Sequence, residues 1–197
     1  MKIIRKIFFV FFILNLFIAS SHSKEPIEFI QEITNSASNI LRENISVEQK
    51  AEKLVNLAED TVDIKGIGLY SLGKHRKEIN KESLERYNKI FKTYFLKSFS
   101  SRLSQYSDPK INVISENVLN DKYTIVSSVL IATNDRPEVK IEWRVYTKNP
   151  NNPLIRDLII EGLSLARTQK EEFNSVIMGA NGDVNALFAN LVNFNSK

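Results

Sequence analysis

Apolar residues return at three- and four-residue steps from Glu28 to Glu43, at Phe29, Ile33, Ala37, Ile40 and Leu41. That spacing predicts a helix, with Pro26 well placed near its first turn. Ser46, followed three residues on by Gln49, forms the sequence pattern of a capping box. The helix it starts presents Ala51, Leu54, Val55 and Ala58 on one face. The glycine-punctuated apolar stretch 63–73 (DIKGIGLYSLG) predicts one or two short helical turns. Asn80 can cap the longest helix, from Lys81 to about Tyr106. Its stripe is Leu84, Tyr87, Phe91, Tyr94, Phe95, Ser98, Phe99, Arg102 and Leu103, and Glu82, Lys89 and Lys97 occupy the opposite side.

At Asp108-Pro109 the period changes to two. Candidate strands run over 110–118, 123–133, 138–147 and 154–161. Their short links favour antiparallel neighbours. In the third, Val139, Ile141, Trp143 and Val145 alternate with Lys140, Glu142, Arg144 and Tyr146. The second has apolar residues on both sides, Tyr123, Ile125, Val129 and Ile131 against Val126 and Leu130, which places it inside the sheet. Helical spacing resumes over 163–179, and Gly182-Asp183 starts a last helix. Helices, then a meander, then helices is the order of an α+β fold. The expected architecture is an antiparallel sheet of about four strands, wrapped by N- and C-terminal helices around one core or one apolar cavity.

The start of the chain differs from the rest. Lys2, Arg5 and Lys6 precede an apolar run from Ile7 to Ile18, broken only by Asn15, and small residues follow it at Ala19, Ser20, Ser21 and Ser23. A basic start, a short apolar run and a small-residue exit read as a secretory signal peptide over residues 1–23. The run is shorter than the ~20 apolar residues of a membrane-spanning helix. This reading changes the charge balance. The whole chain of 197 residues has a formal net charge of +4, but the part after Ser23 carries 24 Lys and Arg against 23 Asp and Glu. A nucleic-acid role then loses its electrostatic support. The rest of the chain is expected to be exported.

Little in the sequence suggests catalysis. There is no Cys, hence no disulfide, thiol nucleophile or thiolate-bound metal, and the two His make a His-rich metal site hard to build. Gly66-Ile67-Gly68 and Gly73 lack the spacing of a dinucleotide loop. His75, within KHRK, reads as a solvated loop residue rather than a general base. Asp157 and Glu161, four apart on one strand, are the one carboxylate pair that acid–base hydrolysis could use. The expectation is no enzyme, no cofactor and no metal.

Three segments carry a family resemblance: DLIIEGLSLARTQKEEF (Asp157 to Phe173), LGKHRKEINKESLERYNKIFKTYF (Leu72 to Phe95), and Arg136-Pro137 before the third strand. The sequence resembles the MlaC family, the toluene-tolerance auxiliary proteins. Asp157, Glu161, Gly162, Ser164 and Phe173 stand at the positions of the family's most specific pattern, whereas Pro153 and Arg156 replace its usual Trp and aromatic. The resemblance implies one lipid-binding domain over 24–197 that shuttles phospholipid and maintains outer-membrane lipid asymmetry. It places the carrier in the periplasm and implies as partners an inner-membrane ABC transporter with an MCE-domain subunit and an outer-membrane lipoprotein complex; a shuttle is most simply a monomer. The pattern offers Ile125, Val129, Ile141, Trp143 and Val145 from the sheet, and Leu69, Leu72, Phe91 and Phe95 from the helices, as cavity-lining residues. Packed core explains each of them equally well. A hopanoid or other isoprenoid-lipid carrier, an exported hydrolase using Asp157 and Glu161, and a structural adaptor with a filled core are the alternatives.

Overall fold

The fold is that of a computed structural model, which describes residues 25–134 and 136–197. The expected signal peptide lies outside the described residues. The chain runs through helices α1 (Pro26–Arg42), α2 (Val47–Thr61), α3 (Ile64–Ser71) and α4 (Lys81–Leu103), with a 3-10 turn at Gly73–Lys77 before the last. Strands β1 (Ile111–Asn120), β2 (Tyr123–Leu130), β3 (Val139–Tyr146), β4 (Leu154–Ile160) and β5 (Leu163–Ser164) follow, and α5 (Leu165–Gly179) and α6 (Val184–Ser196) end it. This is the expected α+β order.

The helix starts follow the local chemistry read from the sequence. Pro26 opens α1, where its missing N–H is no loss. At α2 the capping box is complete: the Gln49 amide donates to the Ser46 hydroxyl, and the Ser46 amide donates to the Gln49 side chain. Asn80 caps α4 by accepting from the Ser83 amide.

The five strands form one antiparallel sheet in the order β1-β2-β3-β4-β5, so β2 is an interior strand as its two-sided apolar pattern predicts. The fifth strand was not expected. Glu161 and Gly162 both hold positive φ, 49° and 81°, the requirement of a two-residue type I′ turn. The chain reverses there, pairs Leu163 and Ser164 with β4, and only then enters α5.

The register assigns the faces. Val126 lies opposite Trp143, which lies opposite Leu158, and Thr124 lies opposite Val145. Directly paired residues share a face. This face carries one apolar cluster, built from Val126, Trp143, Val145 and Ile155 against Phe29, Ile30 and Ile33 of α1, with Leu57 of α2 at its margin. The Trp143 indole donates to Ser128 Oγ at 2.8 Å, which satisfies its one polar atom inside the cluster.

The helices make a second cluster, centred on Tyr87 and Phe91 of α4 and closed by Ile64, Ile67, Phe173, Ile177 and Phe188. Packing there is tight. A methyl group added at Gly68 would lie 2.7 Å from Phe91, and the buried Tyr87 hydroxyl donates to the Gly68 carbonyl at 2.9 Å. Burial raises the Tyr87 pKa well above the usual phenol value, so the hydroxyl remains a donor. Val62, which forms a parallel bridge to Ile155, packs against both clusters.

Candidate functional site

The positions expected to line a cavity fall into three groups. Ile141, Trp143 and Val145 stand together on the α1-facing side of the sheet, within or against its cluster. Leu72, Phe91 and Phe95 belong to the helical cluster or pack on it. Ile125 and Val129 lie on the other face of the sheet, since their partners across β3 are Arg144 and Lys140. Leu69 is partly buried on α3, and its carbonyl accepts from Arg76 at 3.2 Å. The register therefore separates Ile125 and Val129 from Ile141, whereas the sequence pattern put them in one set.

Ile125's face opens on a cleft of about 430 Å³ between α3, the β1–β2 hairpin, β3, β4 and the start of α5. Its walls combine Ile67, Tyr70, Leu119 and Tyr123 with three guanidinium groups, those of Arg76, Arg144 and Arg156. A bulge creates part of this geometry. Arg144 pairs with Asp157 but Val145 pairs with Ile155, so Arg156 is the extra residue of β4. The bulge turns Arg156 to the same side as Asp157. Its Nε and Nη2 reach Asp63 Oδ2, each at 2.6 Å, and its Nη1 donates to the Tyr123 hydroxyl at 2.7 Å. Its guanidinium carbon also lies 3.8 Å from the Tyr146 ring centroid. Burial alone would lower the Arg156 pKa, but the bonds to Tyr123 and Asp63 outweigh it and leave the value raised. Arg156 is a fixed cation.

Asp63 and Asp157 anchor the two sides of this cleft. Asp63 caps α3 by accepting from the Gly66 amide at 2.8 Å while holding Arg156. Asp157 is 4% exposed. It accepts from the Ser164 hydroxyl at 2.6 Å and from the Ala166 amide at 3.0 Å, and Arg144 Nη1 stands 3.5 Å away. The Ser164 hydroxyl in turn accepts from the Arg167 amide and caps α5. The Asp-x₃-Glu-Gly-x-Ser segment is thus a strand, a tight turn and a helix cap tied together by one buried carboxylate.

The two carboxylates of the acid–base pair considered from the sequence are each engaged by other groups. Glu161 lies beyond β4, in the turn, at a positive φ of 49°. It is exposed, and its carboxylate accepts from the Lys140 amide. His75 also departs from expectation. It is 3% exposed, with Nδ1 2.9 Å from Glu78 and Nε2 3.0 Å from Asn174 on α5. The 3-10 turn points residue 75 inward while Lys74, Arg76 and Lys77 stay in solvent. His75→Ala should lower stability by about 1–2 kcal/mol through lost hydrogen bonds and packing, read as a shift of the urea midpoint. Among the described residues, no group of three or more His, Asp or Glu could hold a metal ion. No helix among them is long and apolar enough to cross a membrane.

Comparison with known proteins settles the lineage. The sequence profile described as MlaC protein matches residues 31–193. The chain belongs to the MlaC family. The same fold occurs in a solved structure described as a phospholipid-binding protein from Ralstonia solanacearum in complex with a phospholipid. The two chains are 21% identical, with a TM-score of 0.72 over 85% of this chain and 95% of that one. Comparison with curated protein sequences returns no match. Asp157, Gly162 and Ser164 serve here as anchor, turn and cap. Arg156 is the residue that bridges the sheet to α3.

Proposed function

We propose that this chain is a periplasmic phospholipid carrier that shields the acyl chains of one lipid in its apolar interior. It would move lipid between the outer membrane and an inner-membrane ABC transporter with an MCE-domain subunit, docking at the far side on an outer-membrane lipoprotein complex. The observation that supports this most directly is the likeness of fold to a protein solved with a phospholipid bound. Family membership over residues 31–193 supports it independently. The signal-like start of the sequence supports export. The structural duties of Asp157 and Glu161 favour a binding protein over a hydrolase.

The physical task is clear. At ~0.8 kcal/mol per methylene, an acyl chain of about fifteen methylenes costs roughly 12 kcal/mol to expose to water. Two chains cost about twice that, so a carrier has to cover both. The apolar interior is divided into a cluster between α1 and the sheet and a cluster among the helices, and Val62 packs on both. We place the acyl chains along this boundary. Ile141, Trp143 and Val145 would line it from the sheet, and Leu72, Phe91 and Phe95 from the helices.

The test is native mass spectrometry of the purified protein with organic extraction of what it carries. A stoichiometric phospholipid adduct is expected. A bare mass that persists after incubation with phospholipid vesicles would sink the carrier reading.

A further inference from the structure

The cleft around Arg156 carries more hydrogen-bond donors than its own acceptors use. A guanidinium has five N–H donors and no acceptor. Arg156 commits three of them, two to Asp63 and one to Tyr123. Arg144 pairs with Asp157 at 3.5 Å as an ion pair. Arg76 gives one to the Leu69 carbonyl and pairs with no carboxylate among the described residues. The two carboxylates beside the cleft are already engaged: Asp63 by Arg156 and the Gly66 amide, Asp157 by Ser164, Ala166 and Arg144. The Tyr123 oxygen accepts from Arg156, which leaves its own O–H to donate. Three guanidinium groups against two carboxylates leave one positive charge in excess.

Size and position narrow the ligand. At about 430 Å³ the cleft is near the lower end of small-molecule sites, large enough for one polar head group and too small for a whole two-chain lipid. Its wall residue Ile67 belongs to the helical cluster. Arg156 directly follows Ile155, whose bridge to Val62 marks the boundary between the two apolar clusters. Ile141, Trp143 and Val145 lie on the opposite face of the sheet, whereas through Ile67 the excess of donors borders the helical cluster that contains Leu72 and Phe91. An amphiphile with an anionic head has that division. A phosphate diester offers tetrahedral oxygens that match guanidinium forks.

We infer that the cleft is a phosphate site, occupied by the phosphodiester of the carried lipid and contacted by Arg76, Arg144 and Tyr123, with Arg156 as the fixed cation behind them. This rests on the carrier reading. It makes the three guanidinium groups of this cleft the source of head-group selection.

The experiment is competitive uptake from mixed vesicles of phosphatidylglycerol and the phosphate-free digalactosyldiacylglycerol with matched acyl chains. The protein is expressed from its full-length sequence, and bound lipids are counted by native mass spectrometry. The parent should favour phosphatidylglycerol at least tenfold. Arg76→Gln should lower that ratio about tenfold, the scale of one charge-assisted hydrogen bond. Arg76 is exposed and anchors only a carbonyl, so this variant keeps its fold. Tyr123→Phe should lower the ratio less while keeping the ring. Equal uptake of both lipids by the parent, unchanged in the variants, would overturn the phosphate site and leave the carrier reading intact. Uptake of neither lipid would overturn both. A calorimetric titration with inorganic phosphate separates the sources. Submillimolar binding that Arg76→Gln abolishes, without a lipid preference, would reassign the cleft to free phosphate and overturn the head-group assignment.

Discussion

Asp157→Ala should destabilise the fold by about 2 to 4 kcal/mol. The change strips the Ala166 amide and the Ser164 hydroxyl of their acceptor in a place that water reaches poorly. Each buried donor left unsatisfied costs about 1 to 3 kcal/mol. The ion pair adds little to this sum. The Arg144 side chain is 38% exposed and its nearest contact to the carboxylate is 3.5 Å, so a freed guanidinium simply turns to water. The damage also spreads along the chain, since Ser164 caps α5 and loses the partner that orients it. Asp157→Asn keeps an acceptor for Ala166 and should cost about half as much. Urea unfolding followed by circular dichroism measures both. An alanine variant as stable as the parent would mean that the turn and the helix cap hold without the carboxylate.

This anchor shows how far the sequence reaches. Only some of its parts are readable: Gly162 suits a turn and Ser164 a helix cap, but Glu161 is not a residue that favours positive φ. Helical spacing through Leu163 and Leu165 nonetheless suggested helix from residue 163, and the two-residue β5 was absorbed into it. The structure decides otherwise because the positive φ of Glu161 and Gly162 brings Ser164 back beside β4, where Asp157 can reach it.

The long elements were legible because their signals are local. Ser46 with Gln49, Asn80 with the stripe of α4, and the alternation of β3 each act within a few residues. The faces of the sheet were not legible, because they depend on pairing parity. Ile125 and Ile141 are both odd-numbered and apolar, yet Ile125 pairs with Arg144 and Ile141 with Ser128. A shift of one residue exchanges the faces. The bulge at Arg156 was hidden for the same reason, and with it the cleft. That cleft draws its walls from α3, the hairpin, β3, β4 and α5, and no local pattern joins them. The charged neighbours of His75 suggest a solvated residue, but the turn buries it. In a 3-10 turn one residue in three faces inward, and here it is the imidazole.

Ile141→Lys should abolish lipid carriage, leaving uptake from phospholipid vesicles below about a hundredth of the parent's. The residue is half-buried and packs against the cluster that holds Trp143 and Val145. With no lipid bound, the lysine stem can lie along that surface while its ammonium reaches water, so cooperative unfolding should survive. Acyl chains laid over the same wall would strip the ammonium of water, at an effective penalty of several kcal/mol per ion. Since 1.4 kcal/mol is one factor of ten in affinity, such a penalty removes two or more decades of binding. Ile114→Lys supplies the comparison. Ile114 lies on the edge strand β1 and is 56% exposed, so a charge there meets solvent and should leave uptake at the parental level. The pair separates a positional effect from a general effect of added charge on vesicle binding. A folded Ile141→Lys protein that still carries one lipid per chain would move the acyl chains off the α1-facing side of the sheet. The remaining place for them would be the helical cluster around Phe91.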